Sequence, residues 1–307
     1  MTNLYDFSER NVFKTWILLF GFAALIGGLG YILSNIYAEP AIFYVAIILS
    51  LIEVWRSYWF SKDIILRSVK AHKATPEDNP YLNDIVENLA ITVGLPTPEV
   101  YVIDDPSPNA FATGRNPKNS AICVTTGLLN LFSANPDGSF DFQGKRKLEG
   151  VLAHELSHIK NYDILLSSVA ATLVSVVWTI INLVSRSGQS RRRSNDDSGS
   201  LLWGILALLA MILAPLAAIL LQMAISRKRE YVADANAGII TRFPEGLAEA
   251  LEEIEQDTHK LSVPSNVQSL FIASPLKNDS QGKRNWFVGL FDTHPPIEDR
   301  IKVLRSA

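Results

Sequence analysis

The chain has 307 residues, of which 48% are hydrophobic, and a formal net charge of −3. This length allows one or two domains, and the slightly acidic balance gives no support for nucleic-acid binding. The single cysteine, Cys123, excludes an intrachain disulfide and a cysteine-based zinc site.

Four stretches are apolar enough and long enough to cross a bilayer, which takes about 20 residues. They cover residues 16–36, 41–60, 164–184 and 201–225. The first is too long for a cleaved signal peptide, and no clear small-x-small cleavage site follows it. We therefore predict a mainly α membrane protein with four transmembrane helices. Residues 1–62 form an N-terminal hairpin, and the third and fourth spans interrupt a second domain at residues 63–307.

Basic residues near the spans predict the orientation of the chain. The turn between the first two spans contains no Lys or Arg, whereas several follow the second span and three follow the fourth. Because cytoplasmic loops are enriched in Lys and Arg, both termini are predicted to be cytoplasmic, in a multi-pass protein of the cell membrane. The loop between the third and fourth spans carries four arginines and disagrees. Either it is an exception or these spans do not cross fully, and we predict full crossing.

The segments outside the spans contain helices and strands. The sequence "NPYLNDIVENLAITVGLP" predicts an amphipathic helix that ends at Gly94 and Pro96. Strands follow at about 99–104 and at "SAICVTT". "SRKREYVADANAG" predicts a helix that continues out of the fourth span and ends at Gly238. Residues 263–284 are predicted to form a loop or lid, and Pro295 and Pro296 precede a last helix.

The sequence "HELSH", from His154 to His158, contains the chemistry of a metal site. Histidines four residues apart lie on one face of a helix and can take two positions around a zinc ion. Zinc lowers the pKa of a water molecule that it binds to about 7, and Glu155 can accept the proton of that water during attack on a carbonyl. We therefore predict one Zn²⁺ per chain, with Glu155 as the catalytic residue.

The third metal ligand is predicted from a second motif. The metzincin pattern would need glycine at position 161 and histidine at position 164, where this chain has Asn161 and Ile164. The alternative is a glutamate on a later helix, followed four residues on by an aspartate. "REYVAD" supplies Glu230 as a candidate ligand and Asp234 as a candidate hydrogen-bond acceptor for a ligand imidazole.

The distance of each motif from its span gives a second argument. If both helices continue straight into the membrane, His158 and Glu230 lie roughly 9 Å and 7.5 Å from the apolar edge at 1.5 Å per residue. An antiparallel helix pair would then bring the two ligands to nearly the same height. We accordingly expect one continuous helix from the histidines into the third span, and cleavage close to the membrane surface.

With these motifs identified, the chain resembles the HtpX family of membrane-bound zinc metalloproteases and, more distantly, the CAAX prenyl proteases. The resemblance covers nearly the whole chain and includes "NAFATG", "HELSH", "EYVAD" and "THPP". It implies a gluzincin-like α+β zinc peptidase domain on the cytoplasmic face of a bacterial inner membrane or a plastid membrane. It also implies turnover of damaged or misfolded membrane proteins, as part of protein quality control and the stress response.

The resemblance further implies roles for residues outside the metal motifs. His294 and Arg300 match its C-terminal region and would stabilise an oxyanion or contact substrate, or else form a helix start that packs against the site. "NAFA", at Asn109, Ala110, Phe111 and Ala112, would present an edge strand to an extended substrate, and "SAICVTT" after it could equally be an ordinary half-buried strand. His72 and His259 are predicted to be surface residues. Asp163 could pair with Lys160 or cap a neighbouring group.

Two other functions remain open at this point. A CAAX-type protease would act on prenylated C-termini, although such chains usually have more spans than four. A membrane scaffold with a structural zinc site would have no use for Glu155. The sequence predicts polypeptide substrates and a lipid bilayer as partners, and it identifies no protease or chaperone partner.

Overall fold

The computed structural model describes residues 4–133, 135, 139–191, 226–273 and 295–306. Within these ranges the chain forms ten helices and four strands. In chain order they are α1 (Leu4–Tyr37), α2 (Pro40–Ser68), β1 (His72–Lys73), α3 (Pro80–Val93), β2 (Glu99–Ile103), β3 (Ala110–Asn116), β4 (Asn119–Thr125), α4 (Thr126–Phe132), α5 (Phe142–Lys160), α6 (Asp163–Arg191), α7 (Arg227–Thr241), α8 (Pro244–Gln256), α9 (Ser265–Gln268) and α10 (Ile297–Arg305).

Helices α1 and α2 form the predicted N-terminal hairpin, and each is long and apolar enough to cross a membrane. The chain turns at Ala38, whose φ is 55°, and Pro40 begins α2. The helices approach closely where Gly30 faces Ala46, since a Cβ at Gly30 would lie 2.4 Å from the Ala46 Cβ. Large apolar side chains on their outer faces are exposed in the isolated chain, as a lipid-facing surface requires.

The second predicted hairpin is described only in part. The third predicted span lies within α6, which packs against α1, α2 and β3. α5 and α6 are long and apolar enough to cross a membrane only when the two helices are counted together as one bent span. The fourth predicted span, residues 201–225, lies outside the described residues. The described part of the chain therefore has two candidate spans, or three with the bent pair, and four spans remain a prediction.

The predicted continuous helix from the histidines into the third span is wrong. α5 ends at Lys160, α6 begins at Asp163, and the two axes differ by 84°. Between them Tyr162 has a φ of 57°, a left-handed conformation that a bulky residue rarely adopts. The bend lets the buried face of α6 pack against the hairpin while α5 stays in the soluble domain. The predicted heights, which assumed straight helices, therefore do not apply.

The strands form one sheet in the order β1-β2-β4-β3. β2 and β4 run parallel, whereas β1 and β3 are antiparallel to their neighbours. Within the described sheet β3 is thus an edge strand and β4 is interior. Ser120–Thr125 of "SAICVTT" are buried rather than half-buried, and Thr126 after them is partly exposed. α3 and α5 cover the sheet in the main core, and α3 ends at a left-handed Gly94 as predicted.

Helix α7, which carries the second metal motif, differs from the prediction at both ends. Ser226 is extended, with φ −141° and ψ 120°, so the helix begins at Arg227 instead of continuing out of an apolar segment. It also passes through Gly238 and ends at Thr241, because Arg242 supplies the left-handed residue, with φ 53°. α7 and α8 both pack on α5, and α10 packs across α7 and α8.

The contact at Gly30 generates a prediction about the hairpin. Gly30→Ala should lower the thermal unfolding midpoint in detergent micelles, because the added methyl overpacks the contact with Ala46 by roughly 1–3 kcal/mol. Gly28→Ala is the matched control, since a Cβ there meets nothing within 4 Å. It should leave the midpoint unchanged or raise it slightly, because alanine favours the helix. Equal midpoints for the two variants would contradict the hairpin packing.

Candidate metal centre

His154 and His158 lie one turn apart on α5, as their spacing predicts. The helix starts where the Asp141 carboxylate accepts a hydrogen bond of 2.7 Å from the Gly144 backbone N–H. The two Nε2 atoms are 3.1 Å apart, and the ring centroids are separated by 4.7 Å. The His154 side chain is fully buried, whereas that of His158 is 15% exposed and borders a cavity. Two imidazoles are therefore directed at one point.

Glu230 on α7 completes a group of three donors. Its carboxylate oxygens lie 3.8 Å from Nε2 of His154 and 3.6 Å from Nε2 of His158. One donor atom from each of the three side chains lies within 4.8 Å of the others. A tetrahedral zinc ion with bonds of about 2.0–2.2 Å separates its ligand atoms by roughly 3.3–3.6 Å. The separations of 3.1, 3.6 and 3.8 Å lie close to this range, and the N/O donor set suits zinc.

The cavity beside these donors has a volume of about 40 Å³. A water molecule needs roughly 10–15 Å³ by this measure, so there is room for an ion and a water molecule. Ala112 of β3 and Glu155 also line the cavity. Glu155 is buried and accepts a hydrogen bond from the Ala112 backbone. Burial raises the pKa of Glu155 to about 7, and a bound cation would lower it again.

Asp234 lies behind His154, in the position predicted for a residue that orients an imidazole. Its carboxylate is 2.9 Å from His154 Nδ1. Arg300 on α10 forms a bidentate pair with Asp234, with distances of 2.7 Å and 2.9 Å, and donates to the Ile272 carbonyl at 2.9 Å. Burial favours the neutral form of Asp234, but the positive charge of Arg300 prevails and lowers the pKa to about 2.

Of the two roles that the sequence left open for Arg300, its position agrees with packing against the site and not with an oxyanion contact. Its guanidinium is fully buried on the Nδ1 side of His154, opposite the Nε2 atom that faces the cavity. It supports Asp234 and does not reach the space where substrate would lie. His294, the other candidate for that role, lies outside the described residues. His72 and His259 are exposed, as expected.

Asp163, for which the sequence left open a pair with Lys160 or a capping role, contacts His158. Its Oδ2 atom lies 3.0 Å from His158 Nδ1, and its Oδ1 atom accepts hydrogen bonds from Arg229 at 2.9 Å and from Asn11 at 2.7 Å. Burial opposes a charge on His158, but the hydrogen bond to Asp163 and the negative charge of Glu230 raise its pKa to about 9. The feature of the sequence that could have indicated this contact is an aspartate five residues after the second histidine.

The edge strand β3 runs past the metal centre, but its first residues already have partners. The Asn109 side-chain amide forms two hydrogen bonds with the Ala273 backbone. Its Nδ2 donates to the Ala273 carbonyl at 3.0 Å, and its Oδ1 accepts from the Ala273 N–H at 3.3 Å. The Ala110 carbonyl accepts from the Ile272 N–H at 2.9 Å, and Phe111 packs on Phe271. Of the four predicted edge residues, Ala112 is the one that lines the cavity.

Two helices that bring together a His-Glu-x-x-His motif and a candidate glutamate ligand, attached to an apolar hairpin, are typical of a membrane metallopeptidase. The sequences of known proteins that are similar to this chain belong to the same class. Residues 76–307 match Peptidase family M48. A "Protease HtpX homolog" of Dictyoglomus thermophilum is 43% identical over 304 residues, covering 98% of this chain and 94% of that protein. A "Protease HtpX homolog" of Tropheryma whipplei strain Twist is 40% identical over 307 residues, covering 99% and 98%.

The chain belongs to peptidase family M48. Among solved structures, that of S. mikatae Ste24p aligns with 98% of this chain and 67% of its own, with 18% identity and a TM-score of 0.47.

The buried pair of Arg300 and Asp234 gives a prediction about stability. Arg300→Met should destabilise the metal-free protein by about 3–5 kcal/mol, because it leaves the Asp234 carboxylate buried without its counter-charge. Thermal unfolding in the presence of a chelator measures the effect apart from metal binding. Arg305→Met on the same helix is the control, since Arg305 pairs with Glu245 and Glu252 at the surface, and its effect should be much smaller. Equal effects would contradict the assigned role.

Proposed function

We propose that the chain is a zinc-dependent endopeptidase of the cell membrane that cleaves misfolded or damaged membrane proteins near the cytoplasmic surface. The observation that carries the proposal is the convergence of His154, His158 and Glu230 within 4.8 Å, beside the buried carboxylate of Glu155. Three protein ligands with a cavity next to them are typical of catalytic zinc sites, whereas structural sites usually have four protein ligands.

The three ligands would hold one zinc ion, which when bound supplies a Lewis acid that polarises a carbonyl and makes water more acidic. Glu155 acts as the general base and takes a proton from the attacking water. The oxygen of that water forms a bond to the carbonyl carbon, and the C–N bond then breaks. Glu155 returns the proton to the departing amine, so that one peptide and one water become a carboxylic acid and an amine.

The edge strand β3 is the proposed docking site of the substrate. An extended peptide can add to a sheet edge through main-chain hydrogen bonds. Ala112 lines the cavity next to Glu155, so a peptide alongside it would bring its carbonyl close to the metal centre. Because Asn109 and Ala110 already bond residues 272–273 and the Ala112 backbone donates to Glu155, we propose that a substrate pairs only locally at Ala112, in place of that bond.

The site is proposed to face the cytoplasm. Lys62, near the end of α2, and Lys73 of β1 both pair with Glu99 at the start of β2. These contacts attach the sheet to the end of the hairpin that the basic residues predict to be cytoplasmic. The proposed role in quality control comes from the resemblance to the HtpX family. An edge strand that binds substrate through main-chain hydrogen bonds suits substrates of varied sequence.

The role of Glu155 can be tested with a conservative variant. Glu155→Gln should keep zinc bound but lower the cleavage rate of an unfolded membrane protein by about 10²–10⁴-fold, because it removes the general base. Glu149→Gln is the matched control on the same helix, where the side chain pairs with Lys145 at 3.8 Å, and it should leave the rate unchanged.

The same assay separates the other functions. Retained proteolysis by Glu155→Gln would refute the mechanism. Cleavage of a prenylated peptide in preference to the unfolded membrane protein would favour a CAAX-type protease. Intact substrate in every sample, with or without a chelator, would favour a scaffold with a structural metal.

The third ligand can be tested by metal content. Glu230→Ala should lose the zinc ion, because two imidazoles alone bind it weakly, and elemental analysis measures the stoichiometry. Glu249→Ala on α8, outside the site, should keep about as much zinc as the unaltered protein. A value near one zinc per chain in Glu230→Ala would show that another residue is the ligand.

A further inference from the structure

The N-terminal membrane helix contributes a buried polar side chain to the surroundings of the metal centre. Asn11 lies on α1 before the apolar stretch that begins at residue 16, and it is 2% exposed. Its Nδ2 atom donates to Asp163 Oδ1 at 2.7 Å and to the Asn161 carbonyl at 2.9 Å. Burying an amide costs free energy unless it is hydrogen-bonded, and these bonds satisfy it.

Asn11 acts on the same carboxylate that holds a candidate zinc ligand. One oxygen of Asp163 lies 3.0 Å from His158 Nδ1, and the other accepts from Asn11 and from Arg229. Arg229 NH1 also lies 3.4 Å from Asn11 Oδ1, so the amide and the guanidinium contact each other as well. A carboxylate bonded on both oxygens has one preferred rotation, and this rotation sets the direction of the His158 ring.

Asn11 also bonds the corner between α5 and α6. The Asn161 carbonyl that it contacts immediately precedes Tyr162, the left-handed residue of the bend. The Asn11 side chain therefore bonds both the Asp163 carboxylate and the backbone of the corner that brings Asp163 toward His158. The Thr15 hydroxyl donates to the Asn11 carbonyl at 2.8 Å within the same helix.

We propose that Asn11 is a positioning residue of the metal centre, which orients His158 through Asp163 and makes α1 a part of the catalytic apparatus as well as a membrane anchor. The proposal rests on the proposed function, because it assumes that His158 binds zinc. Asn11 itself touches neither the donors nor the cavity, and its effect passes through the Asp163 carboxylate.

The test is the zinc affinity of the full-length protein in detergent, measured by competition with a chromophoric chelator. Partners of a metal ligand typically contribute about 10–100-fold to metal affinity, and Asn11 acts one bond further out, so Asn11→Leu should weaken zinc binding by roughly 5- to 10-fold. The visible spectrum of the Co²⁺-substituted protein should also change, because it reports the ligand geometry. Asn11→Ala serves if the leucine variant does not fold.

Asn35→Leu is the matched control. It makes the same substitution on the same helix, at a side chain whose Nδ2 bonds the Tyr31 carbonyl within α1. It should leave both the affinity and the cobalt spectrum unchanged. An Asn11 variant that lowers the unfolding temperature but keeps the zinc affinity of the unaltered protein would overturn the proposal, because Asn11 would then only join two helices.

A double-mutant cycle tests the route through Asp163. If Asn11 acts through this carboxylate, Asn11→Leu should weaken zinc binding much less in an Asp163→Asn background than alone. Additive losses would refute this route. His158→Ala separates this outcome from failure of the proposed function. If that variant keeps full zinc affinity, His158 is not a ligand and both proposals fail. If it loses zinc while Asn11→Leu does not, only the positioning role fails.

Discussion

The candidate metal centre depends on two buried carboxylates that each bond one histidine at Nδ1 and leave its Nε2 facing the other candidate ligands. Asp234 does this for His154, at 2.9 Å, and Asp163 for His158, at 3.0 Å. A hydrogen bond at Nδ1 fixes the ring orientation and the tautomer, which a metal ligand requires. Because both rings are fixed, a glutamate from another helix, Glu230, can meet both at 3.6–3.8 Å without either ring rotating.

Each carboxylate needs a counter-charge of its own, because a buried carboxylate is costly unless it is paired and hydrogen-bonded. Arg300 pairs with Asp234, and Arg229 pairs with Asp163. The four side chains come from three helices, α6, α7 and α10. The two ion pairs therefore join these helices to one another as well as supporting the site. The fold has to bring these charges together in pairs, since one partner without the other would be an isolated buried charge.

The sequence could predict what depends on spacing along one helix. The histidine pair on α5, Glu230 and Asp234 on α7, the apolar hairpin and the end of α3 at a glycine all follow from such local patterns. The bend could not be predicted, because no proline or glycine marks it and it depends on the packing of α6 on the hairpin. On a straight helix, residues 158 and 163 would point about 140° apart, so the contact of Asp163 with His158 exists only because of the bend. The place of Arg300 likewise depends on a contact with Asp234, 66 positions earlier in the chain.

The two histidines are consequently held from different parts of the molecule. The support of His154 comes from α7 and α10, within the soluble core. The support of His158 includes Asn11 of the membrane hairpin and the corner that this residue bonds. α7 joins the two, since its consecutive residues Arg229 and Glu230 face Asp163 and the metal donors respectively. A displacement of α1 relative to α7 would thus change the contacts that orient His158, whereas His154 would keep its partners. The bent connection between α5 and α6 couples the membrane hairpin to one candidate ligand of the site, which a straight helix with the same residues would not do.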